Sequence, residues 1–128
     1  MVLVLGAAHA GKREAARKLY NVTEFESGES CECSQAMAAS AVCDYHVLVR
    51  RLLHAGESPQ DFTKRYISAH SDGIILMNEI GCGIVPLERE ERIWREECGI
   101  CARIIAENAN TVIRVICGIP QAIKGELP

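Results

Sequence analysis

The sequence has no long apolar run, no internal repeat and no strong excess of charge of one sign. Its apolar runs fall far short of the roughly 18 residues that a transmembrane helix needs. The apolar start, Met1–Leu5, is followed by positive charge at Lys12 and Arg13, whereas a signal peptide carries its charge before its apolar stretch. The net charge is −3 at pH 7. We therefore expect no charge-driven binding to nucleic acid or to an anionic membrane.

Cysteine, in contrast, is abundant. The 128 residues include seven cysteines, an odd count that a framework of disulfides alone does not explain. Since no export signal is recognisable, we predict reduced thiols in a cytoplasmic protein. With 48% hydrophobic and 24% charged residues, the composition is that of an ordinary globular domain. We expect residues 1–128 to form a single domain.

Short apolar runs alternate with helical patterns along the chain. The runs Val2–Leu5 and Gly73–Met77 are typical of strands buried on both faces of a parallel sheet. Val112–Cys117 is predicted to be the last strand. Val22–Phe25 is a candidate short strand, and the polar segment Ser27–Ser34 is predicted to be a loop. Helical periodicity covers Gly11–Asn21, Gln35–Ala55, a segment that begins at Ser58, and Leu87–Asn108. This alternation predicts an α/β fold with a small, mainly parallel sheet.

Helix faces can also be read from the spacing. In the segment that begins at Ser58, this residue suits an N-cap and Pro59 the first turn. In the predicted helix over Gln35–Ala55, an apolar stripe lies on one face and His46, Arg50 and His54 share another. That second face is either an anion-binding surface or simply a solvated one. The apolar stripe consists of Ala38, Val42, Tyr45, Val49 and Leu53.

A glycine-containing loop joins the first predicted strand to the first predicted helix. Residues Gly6–Lys12 fit the pattern G-x-x-x-x-G-K, and the strand and helix around it are the context that this motif requires. In such loops, backbone N–H groups and the helix N-terminus surround phosphate oxygens, and the lysine adds a full positive charge. We predict nucleotide binding by this loop; the alternative is an ordinary turn with a solvated lysine. The predicted contact residues are Gly6, Ala7, Ala8, His9, Ala10, Gly11, Lys12 and Arg13.

Residue 13 departs from the motif, because arginine stands where a Ser or Thr hydroxyl normally binds Mg²⁺. Arginine cannot bind a cation. It can contact phosphate directly or replace part of the charge of the metal. We therefore predict binding of ATP or GTP with weakened use of Mg²⁺, and name no metal ligands. His9 is either a further contact to the nucleotide or a solvated side chain.

A second motif follows the strand Gly73–Met77. The segment Asn78–Pro86 (NEIGCGIVP) places a carboxylate at a strand end and then two glycines. Such ends form the ligand-binding edge of a parallel sheet, and Gly6 and Gly118 stand at other ends of the same kind. Glu79 is a candidate catalytic residue that either holds a metal or accepts a proton from an attacking hydroxyl. The alternative is a structural ion pair with Lys12 or an arginine.

These motifs together resemble the bifunctional adenosylcobinamide kinase / adenosylcobinamide-phosphate guanylyltransferase family of cobalamin biosynthesis. That family has N-E-V-G-x-G-I-V-P where this chain has Asn78–Pro86, and it ends with a strand and a G-[IL]-P motif, here Gly118–Pro120. The resemblance covers about residues 1–19 and 72–125. Further matching positions in the stretch after Pro86 are Arg92, Trp94, Arg95, Glu96 and Gly99.

The resemblance implies a P-loop NTPase-like, three-layer fold and a homo-oligomer. It also implies transfer of a phosphoryl group from ATP or GTP to a corrinoid-type hydroxyl, with Lys12 and Glu79 as the catalytic residues. The family is longer, and residues 20–71 are too few for its middle strand, helix and GMP-accepting histidine. We therefore assign no such histidine and expect guanylyltransferase activity to be lost. The alternative is a non-catalytic, nucleotide-binding or regulatory relative.

Two details remain open at the level of sequence. Asp44 is a candidate match to the acidic residue that follows a middle strand of the family, although the surrounding pattern predicts helix. Cys98 and Cys101 form a C-x-x-C pair, but they share an apolar stripe with Trp94 and Ile105, so we predict core packing rather than a metal or redox site.

Overall fold

The computed structural model describes residues 1–128 and contains six strands and five helices. The strands are β1 (Val2–Gly6), β2 (Glu26–Ser27), β3 (Ala41–Cys43), β4 (Ile74–Asn78), β5 (Thr111–Ile116) and β6 (Ile119–Lys124). The helices are α1 (Lys12–Tyr20), α2 (Cys33–Ala38), α3 (Tyr45–His54), α4 (Pro59–Ala69) and α5 (Arg89–Asn108). The strands form one sheet in the order β2-β3-β4-β1-β5-β6, and only β6 runs antiparallel. The predicted α/β class is confirmed.

The sheet separates two apolar layers. On one face, Ala16 of α1 packs in a cluster with Val4 and Leu76 of the central strands. On the other face, residues of α3, α4 and α5 pack in a larger cluster with Leu3 and Ile75. Successive side chains of β1 and β4 therefore enter different layers, as strand geometry requires. Both strands are buried on both faces, as predicted, and the three layers are those of a P-loop NTPase-like fold.

The carboxyl ends of the central strands meet at one edge of the sheet. Gly6 ends β1 and lies opposite Asn78 of β4 and Val115 of β5. The chain passes from Gly6 into α1 on the side of the sheet that carries the smaller cluster. Open parallel sheets bind ligands at this edge, so the fold places both sequence motifs where a ligand site is expected.

The predicted helix over Gln35–Ala55 is wrong. The structure has α2, then β3, then α3 in its place. All three residues of β3 are buried, and Val42 belongs to the larger cluster whereas Ala41 and Cys43 belong to the smaller one. A strand buried on both faces has no polar alternation, so its apolar residues mimic part of a helical stripe. Asp44 directly follows β3, as its candidate match to an acidic residue after a middle strand requires.

Three further boundaries differ from the sequence predictions. The candidate strand Val22–Phe25 is not formed, and β2 is instead the two-residue segment that pairs with β3. The segment Ser27–Ser34 is not wholly a loop, because α2 begins at Cys33. The antiparallel strand β6 was not predicted at all. Residues 20–71, which were expected to be too few for a further strand, a helix and a histidine-bearing segment, contain β2, β3 and three helices.

Other elements match their predictions closely. Ser58 caps α4, where its hydroxyl accepts a hydrogen bond from the Asp61 amide at 3.2 Å, and Pro59 begins the helix. Phe62 and Tyr66 are buried in the larger cluster. None of the five helices has the length and apolar character needed to cross a membrane.

Candidate functional site

The glycine loop, defined here as residues Gly6–Arg13, adopts a tight conformation that its small residues permit. A Cβ on Gly6 would lie 2.7 Å from the carbonyl oxygen of Val115, so no side chain fits there. Gly11 has a positive φ of 92°, and a Cβ on it would lie 3.2 Å from Cα of Gly118. His9 also has a positive φ, of 59°. The conformation of the loop thus depends on the close approach of β5 to Gly6 and on the left-handed backbone of His9 and Gly11.

Two sets of contacts hold the glycine loop in place. The amide of Gly118, in the turn between β5 and β6, donates to the carbonyl oxygen of Ala10 at 2.9 Å. The Nζ of Lys12 donates to the carbonyl oxygens of Ala7 at 2.7 Å and of Gly6 at 3.3 Å. Burial lowers the pKa of Lys12, while the nearby carboxylates of Asp44 and Glu79 oppose this shift. The lysine therefore lies folded against its own loop, beside the space where a phosphate would bind.

Arg13 pairs with Asp44. Its Nη2 contacts Oδ2 of Asp44 in a charged hydrogen bond. The same carboxylate oxygen accepts from the Cys43 thiol and from the Ser27 hydroxyl, each at 3.4 Å. Burial tends to raise the pKa of Asp44, but the Cys43 hydrogen bond and the Arg13 charge outweigh it and hold the pKa below its ordinary value. Asp44 is therefore a carboxylate whose charge is already matched within the protein.

A cavity of about 680 Å³ opens beside the glycine loop. Six of the eight predicted contact residues line it, while Gly6 and Ala7 do not. Asp44 and Asn78 also line it, from the ends of β3 and β4. The complete lining is Ala8, His9, Ala10, Gly11, Lys12, Arg13, Glu14, Glu29, Cys43, Asp44, Leu76, Asn78 and Gly118. The fold thus brings the loop and two polar strand ends together.

Glu79 lies beside this cavity rather than in its lining. Its amide donates to the carbonyl oxygen of Gly6 at 3.2 Å. Its carboxylate pairs with the guanidinium of Arg114 on β5, with oxygen-to-nitrogen distances of 3.0 and 3.1 Å. The alternative contact with an arginine is therefore present, and the partner is Arg114 rather than Lys12. The negative charge of Glu79 nonetheless acts to raise the pKa of Lys12, against the effect of burial.

His46 is a buried residue that contacts the backbone at the end of β4. It is 6% exposed, and its Nδ1 accepts a hydrogen bond from the Asn78 amide at 3.2 Å. Its ring stacks on Trp94, whose Nε1 donates to the carbonyl oxygen of His46 at 2.6 Å. Arg50 lies 3.6 Å from the centre of the Trp94 ring and pairs with Glu91. Burial is the main reason that the pKa of His46 is lowered.

The suggested face of His46, Arg50 and His54 is therefore not formed. His46 is buried against the end of β4 and Arg50 covers an indole ring, whereas His54 is exposed. All three residues lie in α3 at four-residue spacing, but only His54 is an exposed side chain, so neither a shared anion-binding surface nor a shared solvated face results. No residue spacing predicted the bond from Asn78 to His46, because it joins two different elements.

The second motif continues into a loop that two arginines hold. Arg95 donates to the carbonyl oxygens of Gly81 and Ile84, at 2.6 and 2.7 Å. Arg92 donates to the carbonyl oxygens of Pro86 and Leu87, the first at 3.1 Å. Arg92 and Arg95 thus hold a loop whose large apolar side chains Ile84, Val85 and Leu87 are exposed.

The C-x-x-C pair lies in the core, as predicted. Cys98 and Cys101 are 2% and 0% exposed and belong to the larger apolar cluster. Burial raises the pKa of the Cys98 thiol to about 12. These thiols therefore stay protonated and pack as small apolar groups.

The residues at the glycine loop do not form a suitable Mg²⁺ site. P-loop enzymes hold the ion with a loop Ser or Thr and with an acidic residue at a strand end. Here Arg13 offers only donors, and the Asp44 carboxylate is occupied by Arg13. No cluster of three or more His, Cys, Asp or Glu side chains in the chain could hold a metal ion.

Comparison with known proteins supports a family assignment for most of the chain. A sequence model of the family described as cobinamide kinase / cobinamide phosphate guanyltransferase (CobU) matches residues 47–123. This range contains the segment Asn78–Pro86 and the turn Gly118–Pro120, but it begins after the glycine loop.

One curated relative is the bifunctional adenosylcobalamin biosynthesis protein CobP of Pseudomonas aeruginosa. It is 38% identical over 53 residues, which amount to 41% of this chain and 31% of the relative. The chain thus matches less than a third of the length of that protein. Because the family match covers more than half of the chain and includes the segments Asn78–Pro86 and Gly118–Pro120, the chain belongs to the cobinamide kinase / cobinamide phosphate guanyltransferase family.

Proposed function

We propose that the protein binds a nucleoside triphosphate, ATP or GTP, at the glycine loop and transfers its terminal phosphoryl group to a hydroxyl of a corrinoid-type acceptor. The observation that carries this proposal is the glycine loop itself. It joins a buried central strand to a helix, contains Lys12, and borders a cavity of about 680 Å³. Membership of the cobinamide kinase family supports a role in cobalamin biosynthesis.

The loop residues have separate roles in this proposal. Free backbone N–H groups at the start of α1 attract phosphate oxygens because the helix N-terminus carries partial positive charge. Lys12 moves from its loop carbonyls to the outer phosphates and stabilises the charge that develops there. His9, which is exposed at the rim of the cavity, contacts the nucleotide.

Glu79 is the proposed proton acceptor for the attacking hydroxyl. Its carboxylate lies against the guanidinium of Arg114, and a positioned carboxylate is a common proton acceptor in such reactions. Its position directly after β4 places it next to Asn78, which lines the cavity. Glu79→Gln keeps the size of the side chain and removes the base. We expect it to reduce turnover by roughly a hundredfold or more, with little change in nucleotide affinity.

A second candidate function is nucleotide binding without chemistry. The contact between Arg13 and Asp44 favours it, because Arg13 stands in place of the metal-binding hydroxyl of active P-loop enzymes and occupies the nearby carboxylate of Asp44. In that case the chain senses a nucleotide or regulates a partner. Loss of guanylyltransferase activity is expected under both candidates, since no GMP-accepting histidine is assigned.

One assay separates the two candidates. The purified chain is incubated with ATP or GTP labelled in the γ-phosphate and with adenosylcobinamide, and labelled corrinoid is measured. Transfer that Glu79→Gln suppresses supports the kinase. Calorimetric binding of the nucleotide without transfer supports the non-catalytic candidate. Absence of nucleotide binding contradicts both.

We also propose a cellular compartment and an oligomeric state for the protein. All seven cysteines are free thiols, which agrees with a reducing, cytoplasmic compartment. Two thiols, those of Cys82 and Cys117, are exposed and would be open to oxidation in an oxidising compartment. We further expect a homo-oligomer, as the family resemblance implies, and light scattering after size-exclusion chromatography tests this directly.

A further inference from the structure

Arg13 and Asp44 pair with each other in the lining of the cavity beside the glycine loop. Arg13 follows the lysine of the glycine loop, where a Ser or Thr hydroxyl normally stands. Asp44 follows β3, which is separated from β1 only by β4, and an acidic residue at such a strand end is the second metal ligand. In this protein the two side chains bind each other.

We propose that the Arg13 guanidinium replaces Mg²⁺, so that the protein binds its nucleotide without a metal ion. The proposal rests on nucleotide binding at the glycine loop. Arg13 then contacts the outer phosphate oxygens directly, while Asp44 holds the guanidinium in place. The Arg13 side chain thereby supplies the positive charge that Mg²⁺ supplies in other P-loop proteins.

The free donors of Arg13 make this arrangement feasible. A guanidinium has five N–H donors in a rigid plane, and Asp44 uses only Nη2. Nε and Nη1 have no protein acceptor among the hydrogen bonds of the structure, and the side chain is 48% exposed. Arg13 also lines the cavity. It can therefore keep its contact with Asp44 and still offer two donors to phosphate, a geometry that suits arginine.

Asp44 is built to orient an arginine rather than to bind an ion. Its carboxylate oxygen Oδ2 receives hydrogen bonds from Ser27, Cys43 and Arg13 together. The other carboxylates that line the cavity, Glu14 and Glu29, are exposed. No group of three potential ligands forms with them. A divalent cation here would lack ligands and would be repelled by both Lys12 and Arg13.

Calorimetric titration tests the proposal, with ATP as the probe and with either EDTA or excess MgCl₂ in the buffer. For the parent protein we expect the two dissociation constants to agree within roughly threefold. Arg13→Ser restores the usual hydroxyl and removes the charge. We expect it to weaken metal-free binding by roughly tenfold or more and to make binding depend on Mg²⁺.

Two further variants sharpen the test. Arg17→Ser is the matched control, because Arg17 lies one turn farther along α1, above the Phe25 ring, and does not line the cavity. It should leave both dissociation constants unchanged. Arg13→Gln removes the charge and adds no hydroxyl. It should therefore weaken metal-free binding without making binding depend on Mg²⁺. Circular dichroism checks that each variant folds.

The outcomes distinguish this proposal from the one on which it rests. If Mg²⁺ tightens binding to the parent protein by roughly tenfold or more, the replacement of metal by Arg13 is wrong, while nucleotide binding stands. Unchanged metal-free affinity in both Arg13→Ser and Arg13→Gln also overturns it. If ATP produces no binding heat with or without Mg²⁺, and GTP behaves in the same way, both proposals fail.

Discussion

The imidazole of His46 accepts a hydrogen bond from the backbone amide of Asn78 through Nδ1, at 3.2 Å. This contact ties the first turn of α3 to the end of β4, where the chain turns toward Glu79. Only a neutral imidazole has a ring nitrogen that can accept such a bond. The position of the second motif therefore depends on the protonation state of a buried histidine.

Stability should fall in mildly acidic solution because of His46. Burial is the largest cause of its lowered pKa, with Lys12 and Arg50 adding to the shift and Asp44 opposing it. The unfolded chain therefore binds a proton at a higher pH than the folded protein does. The full stabilisation is present above about pH 6.5 and is lost as the pH falls below that value toward the folded pKa. Urea unfolding at a series of pH values measures this slope.

His46→Asn provides the control for that slope. Asparagine keeps an acceptor at the position of Nδ1 but does not titrate. The variant loses the stacking on Trp94 and will be less stable at every pH, so only the pH dependence is informative. An undiminished loss of stability between about pH 5 and pH 6.5 in the variant would assign the effect to other groups.

Two tyrosines with buried hydroxyl groups should respond oppositely to loss of the hydroxyl. Tyr45 shares a hydrogen bond of 2.9 Å with Thr63 inside the core, whereas the buried hydroxyl of Tyr20 has no partner. Tyr45→Phe should reduce the free energy of unfolding by about 1 kcal/mol. Tyr20→Phe should leave it unchanged or raise it, because an unsatisfied polar atom is removed. Equal effects of both variants in denaturant unfolding would contradict these assignments.

Arg95 should control the mobility of the loop from Gly81 to Leu87. Its guanidinium donates to two carbonyl oxygens of that loop, so Arg95→Ala should increase amide hydrogen exchange there. Arg103, an exposed arginine near the end of the same helix, makes no such contact, and Arg103→Ala is the control. Mass spectrometry of peptides from the loop measures the difference. Unchanged exchange in Arg95→Ala would show that the loop is held by other contacts.

The thiols should fall into two reactivity classes. Cys82 and Cys117 are exposed and should react with a thiol reagent in the native protein within minutes. Cys98 and Cys101 are buried, and burial raises the pKa of both thiols, so they should react only after unfolding. Rapid native labelling of the second pair, mapped by mass spectrometry, would contradict their place in the core.

The parts of the fold that the sequence predicts are those with a strong local signal. The strands ending at Gly6 and Asn78 are apolar up to their last residue and the helix at Ser58 has a clear cap, so each could be recognised by itself. β3 is only three residues long and β2 only two, and their apolar character merges with neighbouring helical patterns. β6 escaped prediction because Gly118 and Pro120 indicated the end of the fold rather than a hairpin.

The candidate site likewise has features that the sequence predicts and contacts that it does not. The glycine loop and Asn78–Pro86 are continuous motifs, so their residues could be named in advance. The contact between Arg13 and Asp44 depends on β3 lying two strands from β1. That placement follows from packing across the sheet, which no local pattern contains. Because β3 was predicted as part of a helix, the ion pair of Arg13 with Asp44 and the contact of His46 with Asn78 could not be derived.

Lys12→Ala tests the central claim, nucleotide binding at the glycine loop, most directly. Lys12 is the one lysine that lines the cavity, whereas Lys18, exposed on the same helix, makes no contact with the loop and serves as the control. Calorimetric titration with ATP and with GTP should show that Lys12→Ala weakens binding by roughly tenfold or more and that Lys18→Ala has no effect. Equal affinity of the parent protein and Lys12→Ala for both nucleotides would contradict the account.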